Sequence, residues 1–324
     1  MKKDTLDFII IGVQKSGTTS LYKYLSRHPQ IYMPPEKDAI FFAYDNRYEK
    51  GVQWFHNEFY VNAPQNRLWG KATPQYMLGY ESATSTIVAQ RIKKTLPNVK
   101  IIAILRHPIS RAFSHYRMSV RKGYETRSFE EVISAFLEPS QLQTAREIPS
   151  EVNSYIVQGE YGRILGEYYK LFQKEQIFVG YTDDLENNPE TFVKSILIFL
   201  GLTSDIMPDN VGKRYYEGGT KLKIPKIKQF YVKDWDFLPW KIRLLLRRLP
   251  KKHRDAFSLW FHLWNVKPDP KLKDRWQEFI SPELQEKLID HYKKDLQALQ
   301  ENLGVSVPWI EWGNSQEAAQ TCLT

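Results

Sequence analysis

A lysine and three hydroxyls crowd one short turn of this chain. In FIIIGVQKSGTTSL, residues 8–21, Lys15, Ser16, Thr18 and Thr19 fall between or just beyond Gly12 and Gly17. The chemistry open to such a group is the binding of an oxyanion: amides of a glycine turn and of a helix N-terminus converge on negative charge, and hydroxyls and an ammonium supplement them. The pattern approaches the GxxxxGK[ST] loop that cradles nucleotide phosphates, with one displacement. There the lysine follows the second glycine; here Thr18 holds that place and Lys15 lies inside the loop. A glycine turn between a strand and a helix can be purely structural, but a lysine and three hydroxyls in it favour a phosphate or sulfate ligand.

A second group follows the run VKIIAIL. In RHPISRAFSHY, Arg106 stands at the carboxyl end of that run, where open α/β sheets bind ligands, and Pro108 closes it. A helix from Ser110 places Arg111, Ser114 and His115 about one turn apart. An arginine and a serine so presented can hold a phosphate, the arginine by paired charge-assisted hydrogen bonds. The plainer reading is a helix-capping arginine with solvated neighbours.

The elements that must carry these groups follow from periodicity. Phe8 to Ile11 is aromatic and β-branched without charge, as in a strand buried on both faces of a parallel sheet. Strands are expected over residues 7–11, 99–105 and 176–180, and helices over 19–26, 82–95, 110–119, 161–172, 189–200 and 282–303. This alternation is that of βαβ units, so the expected fold is α/β, a P-loop-like central parallel β-sheet with helices on both faces. Residues 138–150, polar with two prolines, read as a surface loop.

At 324 residues the chain can bury a large core. A single domain is expected over 1–313, including a basic, aromatic-rich helical segment at 221–265, with a polar tail at 314–324. No apolar stretch nears the ~20 residues of a bilayer span. Two lysines precede the first apolar run, as in a secretory leader, but Asp4 and Asp7 interrupt it and it falls short of the ~7 to 15 apolar residues required. The expectation is a cytoplasmic protein that begins on its first core strand. A lone cysteine, Cys322, leaves no intramolecular disulfide, as suits a reducing compartment. The formal net charge of +9 is uneven: from Lys221 to Arg254, twelve Lys or Arg face two acids, Asp234 and Asp236. A basic chain implies an anionic partner, whether nucleotide, acidic glycan, nucleic acid or membrane surface.

Together, GVQKSGTTSL and RHPISRAFSHY resemble the PAPS-dependent sulfotransferase family, whose donor is 3′-phosphoadenosine 5′-phosphosulfate (PAPS). The first is similar to the family's loop for the 5′-phosphosulfate, and the second matches its RxPxxRAxSxY element for the 3′-phosphate. The likeness continues through PEKDAIFF, YEKGVQWF, TPQY, FVGYTDDLENNPETFVKSILIFLGL and the closing helix before WIEW, so it covers most of the chain. It is nearest to the branch of glycosaminoglycan and heparan sulfate sulfotransferases and their bacterial relatives. The resemblance implies sulfuryl transfer from PAPS to a hydroxyl or amine of an acceptor, a glycan or glycolipid foremost.

It also assigns roles. Lys15 becomes the cation that stabilises charge on the bridging oxygen as the bond to sulfur loosens. Ser16, Gly17, Thr18 and Thr19 complete the donor loop, the last three on the 5′-phosphate, and Arg106 and Ser114 take the 3′-phosphate. A sulfuryl group carries less charge than a phosphoryl group, so no metal is expected.

An acceptor hydroxyl must lose its proton to a nearby base. In the resembling branch that base is a glutamate three residues before a Phe-Phe pair; here the position holds Asp38, shorter by one methylene, and Ile40 replaces the usual polar residue two places on. Asp38 is the expected base, with Glu36 or a histidine such as His56 as alternatives; a solvated charged turn after Pro34 and Pro35 is the structural one. Lys71 is a candidate for acceptor contact, although the family's lysine directly precedes the Thr-Pro pair, where Ala72 stands here. Tyr155 and Tyr161 are candidates for lining the donor site, and Lys221 and Lys223 for a loop closing over it. The stretch WKIRLLLRRLPKK, apolar and basic, suits a solvated helix packing its leucines, a wall of the acceptor cleft, or contact with an anionic membrane that presents a lipid-linked acceptor. The expected partners are an acidic or neutral glycan, a lipid or a small-molecule acceptor.

Two other classes compete. A P-loop kinase or NTPase would need a lysine after Gly17 and a clear metal-binding aspartate at a strand end. A nucleic-acid-binding protein is favoured by the basic stretch alone, and nucleic acid is not an expected partner.

Overall fold

A computed structural model describes residues 5–213, 215, 220–222, 266–268, 275–304 and 307–309. Strands β1 (Phe8–Gly12), β2 (Ile31–Tyr32), β3 (Leu68–Ala72), β6 (Lys100–Leu105) and β7 (Ile177–Tyr181) form one five-stranded sheet. Its order is β2-β3-β1-β6-β7 and every pairing in it is parallel. The short strands β4 (Gly79–Tyr80) and β5 (Ala83–Thr84) pair antiparallel at one side.

Side chains alternate across a strand, so each central strand serves two layers. Phe8, Ile10, Ile102 and Ile104 pack with α1 (Thr18–Leu25) and α11 (Pro189–Leu200). Ile9, Ile11, Ile101, Ala103 and Leu105 pack on the opposite face. That layer holds α5 (Ser85–Thr95), α6 (Pro108–Lys122), α9 (Tyr161–Leu171) and, the last helix among the described residues, α12 (Pro282–Leu303). This is the α/β sheet with helices on both faces that the sequence predicts. β3, an interior strand, was absent from the sequence expectation because it carries Gly70 and Lys71. The glycine is required there: a Cβ would come within 2.1 Å of the Phe8 ring on β1.

One expected loop is a helix. Residues 138–150 contain α8 (Pro139–Glu147), which starts on Pro139 at a position where a missing N–H costs nothing. Polar composition hid it, since just Leu142 and Ala145 of its residues are buried, three apart on one face. Likewise α6 starts at Pro108 rather than Ser110, with His107 Nδ1 accepting from the Ser110 amide at 3.4 Å.

Helix α9 is capped from a distance. Glu160 at its N-cap makes no side-chain cap bond, and the Asp295 carboxylate of α12 instead accepts from the amides of Gly162 at 2.8 Å and Arg163 at 2.7 Å. Burial pushes that carboxyl up to about 6 despite those bonds. Next to it, Glu160 joins three elements, accepting from Arg146 of α8 at 2.7 Å and Arg163 at 2.6 Å and lying 3.1 Å from His291 Nε2 of α12.

Of the basic stretch, 220–222 pair antiparallel with 266–268. Lys223, the rest of the 221–265 segment and the tail at 314–324 lie outside the described residues. Among the described residues no helix is long and apolar enough to cross a membrane.

Candidate active site

The glycine loop leaves the carboxyl end of the central strand β1 and enters α1 directly. Val13 N donates to Ile104 O at 2.9 Å, and Leu21 N to Gly17 O at 3.1 Å, which ties the loop to β6 behind it and the helix ahead. Gly17 sits at φ 87° and Lys15 at φ 78°. The left-handed region suits glycine; for a lysine it is uncommon and costs about 1 kcal/mol or more. A Cβ on Gly17 would also meet Leu185 Cδ2 at 2.6 Å, so that methyl would have to move aside. The Thr182 hydroxyl braces the turn, 3.2 Å from Ser16 O and 3.0 Å from Leu105 O.

This cradle has the features of an anion site. Helix α1 has Gly17 as its N-cap and no side-chain cap, so no N-cap side chain accepts from its first amides. The Ser16 hydroxyl is fully buried with no hydrogen-bond partner among the described residues. Buried polar groups are almost always paired, so an orphan here fits a ligand. Among the described residues no group of three or more His, Cys, Asp or Glu stands where it could hold a metal ion.

Arg106 follows β6 at the same edge of the sheet. Its Nη1 donates to Lys15 O at 3.0 Å, and its own carbonyl accepts from the Tyr161 hydroxyl at 2.7 Å. Its neighbour His107 stacks on Trp276, ring centroids 5.7 Å apart; burial and then the Arg106 charge push that imidazole down to about 4. Ser114 is half-buried on α6. Arg111 turns away from any ligand role: fully buried, it donates to Gln158 Oε1 at 2.9 Å and to Tyr155 O. His115 is buried beside it, its Nε2 2.9 Å from Glu151 O. Tyr155 and Tyr161, candidates for lining the donor site, are both fully buried.

The electrostatics centre on Lys15. Burial, then the charges of Arg121, Arg106 and Lys122, push its ammonium down to about 7, with Glu151 opposing them. Glu151 also reaches the loop directly, accepting from Gln14 Nε2 at 2.8 Å and standing 3.7 Å from Lys122.

On the other side of the cradle runs the segment with the candidate bases. Phe41 and Phe42 anchor it, buried against Phe55, Tyr48 and Tyr76. The Tyr22 hydroxyl of α1 reaches the carbonyls of Pro34 at 2.8 Å and Pro35 at 3.1 Å. Lys71 is buried, donates to Glu36 O at 2.6 Å and stands 3.9 Å over the Phe59 ring. Burial brings it down to about 7 against the pull of Glu36 and Asp38. Its ammonium is thus engaged inside the fold, not offered to an acceptor. Glu36 and Asp38 remain exposed. His56 packs among the rings of Phe55, Tyr60 and Trp69.

Lys37 lies between the two sides. Its Nζ donates to Thr19 Oγ1 at 2.9 Å and lies 3.4 Å from Thr18 Oγ1, while Asp38 Oδ1 is 3.7 Å away. Sequence reasoning passed over Lys37, as it did Gln14, Glu151 and Thr182. Three of these stand in stretches that carry the resemblance, Gln14 directly before Lys15 in GVQKSGTTSL, Lys37 directly before Asp38 in PEKDAIFF and Thr182 in FVGYTDDLENN; Glu151 does not.

Comparison with known proteins fits this geometry. The family model described as "Sulfotransferase domain" matches residues 5–229. The bifunctional heparan sulfate N-deacetylase/N-sulfotransferase 2 of Homo sapiens is 31% identical over 205 residues, which cover 60% of this chain and 22% of that protein. The membrane-associated sulfotransferase kil1 of Dictyostelium discoideum is 38% identical over 117 residues, 36% of this chain and 23% of that one. The matches thus span under a quarter of the length of these relatives. Among solved structures, a sulfotransferase from Alicyclobacillus acidocaldarius superposes with a TM-score of 0.61 at 22% identity, covering 93% of this chain and 97% of that one, a likeness of fold.

Proposed function

The chain belongs to the sulfotransferase domain family, and from that premise we propose that it transfers a sulfuryl group from PAPS to a hydroxyl or amine of a glycan. The observation that carries the proposal is the Arg106–Lys15 bond, which joins the two motifs into one site at the carboxyl edge of the sheet. PAPS supplies a sulfuryl group already attached to a phosphate leaving group.

The protein's own residues supply the rest. Gly17, Thr18 and Thr19 would hold the 5′-phosphate with amides and hydroxyls, the Ser16 hydroxyl gaining a partner, and Arg106 with Ser114 would hold the 3′-phosphate. The Lys15 ammonium would stand where negative charge builds on the leaving oxygen, and a positioned cation is worth most where charge develops. Asp38, exposed at the rim, would take the proton of the acceptor. The glycan acceptor is supported by the heparan sulfate relatives. Peripheral contact with an anionic membrane, through the basic stretch, and a cytoplasmic location, suited to a chain with one cysteine, belong to the same proposal.

Calorimetry with 3′-phosphoadenosine 5′-phosphate, set against ATP with magnesium, tests the donor assignment. Micromolar binding of the bisphosphate without metal is expected; preference for ATP would sink it.

A further inference from the structure

In the GxxxxGK[ST] form a loop lysine occupies the position that Thr18 holds here. The structure brings an ammonium to the threonines after Gly17 from another part of the chain. Lys37 Nζ donates to Thr19 Oγ1 at 2.9 Å and stands 3.4 Å from Thr18 Oγ1. Its side chain is 15% exposed, so the charge is largely withdrawn from water, and burial lowers its affinity for the proton, with Asp38 opposing. An ammonium held in this way by two neutral hydroxyls and one exposed carboxylate 3.7 Å away is under-compensated. The buried, unpartnered Ser16 hydroxyl lies two and three residues from those same threonines.

We propose that Lys37 is a second donor cation, binding the 5′-phosphate alongside Thr18 and Thr19 and thereby drawing the segment that carries Asp38 onto the bound donor. The inference rests on the PAPS reading of the loop. Donor binding would then order both halves of the site. The 5′-phosphate replaces two weak acceptors with an anionic one, and the pull on Lys37 is transmitted along one peptide unit to Asp38. Lys71, bonded to Glu36 O at 2.6 Å, and Tyr22, bonded to Pro34 O and Pro35 O, hold the other end of the segment against the fold. Lys37 is therefore the residue of this segment that can respond to the anion.

The test measures binding of two nucleotides by calorimetry at low salt: 3′-phosphoadenosine 5′-phosphate, and adenosine 3′-monophosphate, which lacks the 5′-phosphate. Lys37→Met should weaken the bisphosphate about 10- to 100-fold, the effect of one charge-assisted bond, and leave the monophosphate within about twofold. Lys37→Arg, which keeps the charge, should restore most of the affinity. Equal affinity of wild type and Lys37→Met for the bisphosphate overturns the proposal. So does equal weakening of both nucleotides, which would mark a merely structural lysine. If wild type binds no bisphosphate, the donor reading fails and this inference falls with it, an outcome distinct from the other two.

Discussion

The guanidinium of Arg106 donates to the carbonyl oxygen of Lys15 at 3.0 Å, a bond between residues 91 positions apart. It fixes the backbone of the loop lysine from the first residue of the second motif, just past the end of β6. The two motifs therefore act as one device, and damage to either should be felt in both donor affinity and turnover. Arg106→Ala is expected to weaken bisphosphate binding about 10- to 100-fold and to lower kcat as well, because Lys15 loses its tether. Lys15→Ala should lower kcat about 100- to 1,000-fold with a smaller effect on affinity. Steady-state kinetics with a titrated donor separates the two patterns; an Arg106→Ala enzyme with unchanged kcat would show that the tether is irrelevant to turnover.

The lowered proton affinity of Lys15 predicts proton uptake on donor binding. With its ammonium at about 7, the free enzyme at pH 8 holds Lys15 mainly neutral, and an arriving dianion restores the charge. Close to one proton should be taken up at pH 8 and almost none at pH 6. Calorimetry in buffers of different ionisation enthalpy reads the number, and Lys15→Met should abolish it. Buffer-independent enthalpies at pH 8 would refute the assignment. The same shift has a stability consequence. Below about pH 7 Lys15 is charged in folded and unfolded chains alike and the full burial penalty stands. Between about 7 and 10.5 only the unfolded chain keeps the proton, so the donor-free protein gains stability as pH rises through that window.

Asp38→Asn removes the proposed base while keeping its shape. Turnover should fall about 100-fold or more with donor affinity nearly unchanged. Near wild-type turnover would shift the role to Glu36, whose side chain is also exposed on the same segment.

Gly162→Ala tests the remote cap on α9. A Cβ there would lie 2.0 Å from Asp295 O, a backbone atom of another helix that cannot yield cheaply. The expected loss is about 2–3 kcal/mol in denaturant unfolding. Gly123→Ala is the control: at φ +79° with nothing within 4 Å of a Cβ, it meets the left-handed penalty alone, about 1 kcal/mol. Equal losses at the two sites would mean that the helices separate more easily than their packing suggests.

The parts of this fold that were legible in the sequence share one property: their burial matches their composition. β1 and residues 101–105 of β6 are uncharged apolar runs because both faces are covered, and α12 is regular over 22 residues because Leu284, Leu288, Tyr292, Leu296, Leu299 and Leu303 line one face. What was hidden breaks that match. β3 buries a lysine in a central strand, made tolerable by Glu36 O and the Phe59 ring, neither of which is local in sequence. α8 is a helix whose stabilising partner, Glu160, lies fourteen residues from Arg146. In the site, Lys15 and Arg106 were readable because their surroundings are motifs. Arg111 was not, since a fully buried arginine looks the same in a string of letters as a solvated one, and the reach of Lys37 to Thr19 depends on how the segment 33–43 folds back over α1.

The match to the family model ends at residue 229, yet α12, which begins 53 residues later, closes the first turn of α9 through Asp295 and holds Ile156 O through the Tyr292 hydroxyl at 2.9 Å. Tyr161, which α9 presents to Arg106, therefore depends on residues beyond the matched domain. A fragment cut at the signature's edge would keep every motif residue and lose the helix that seats them. Chimeras or minimal versions of this protein must carry α12 from the same parent, because its cap and the turn it serves form a matched pair.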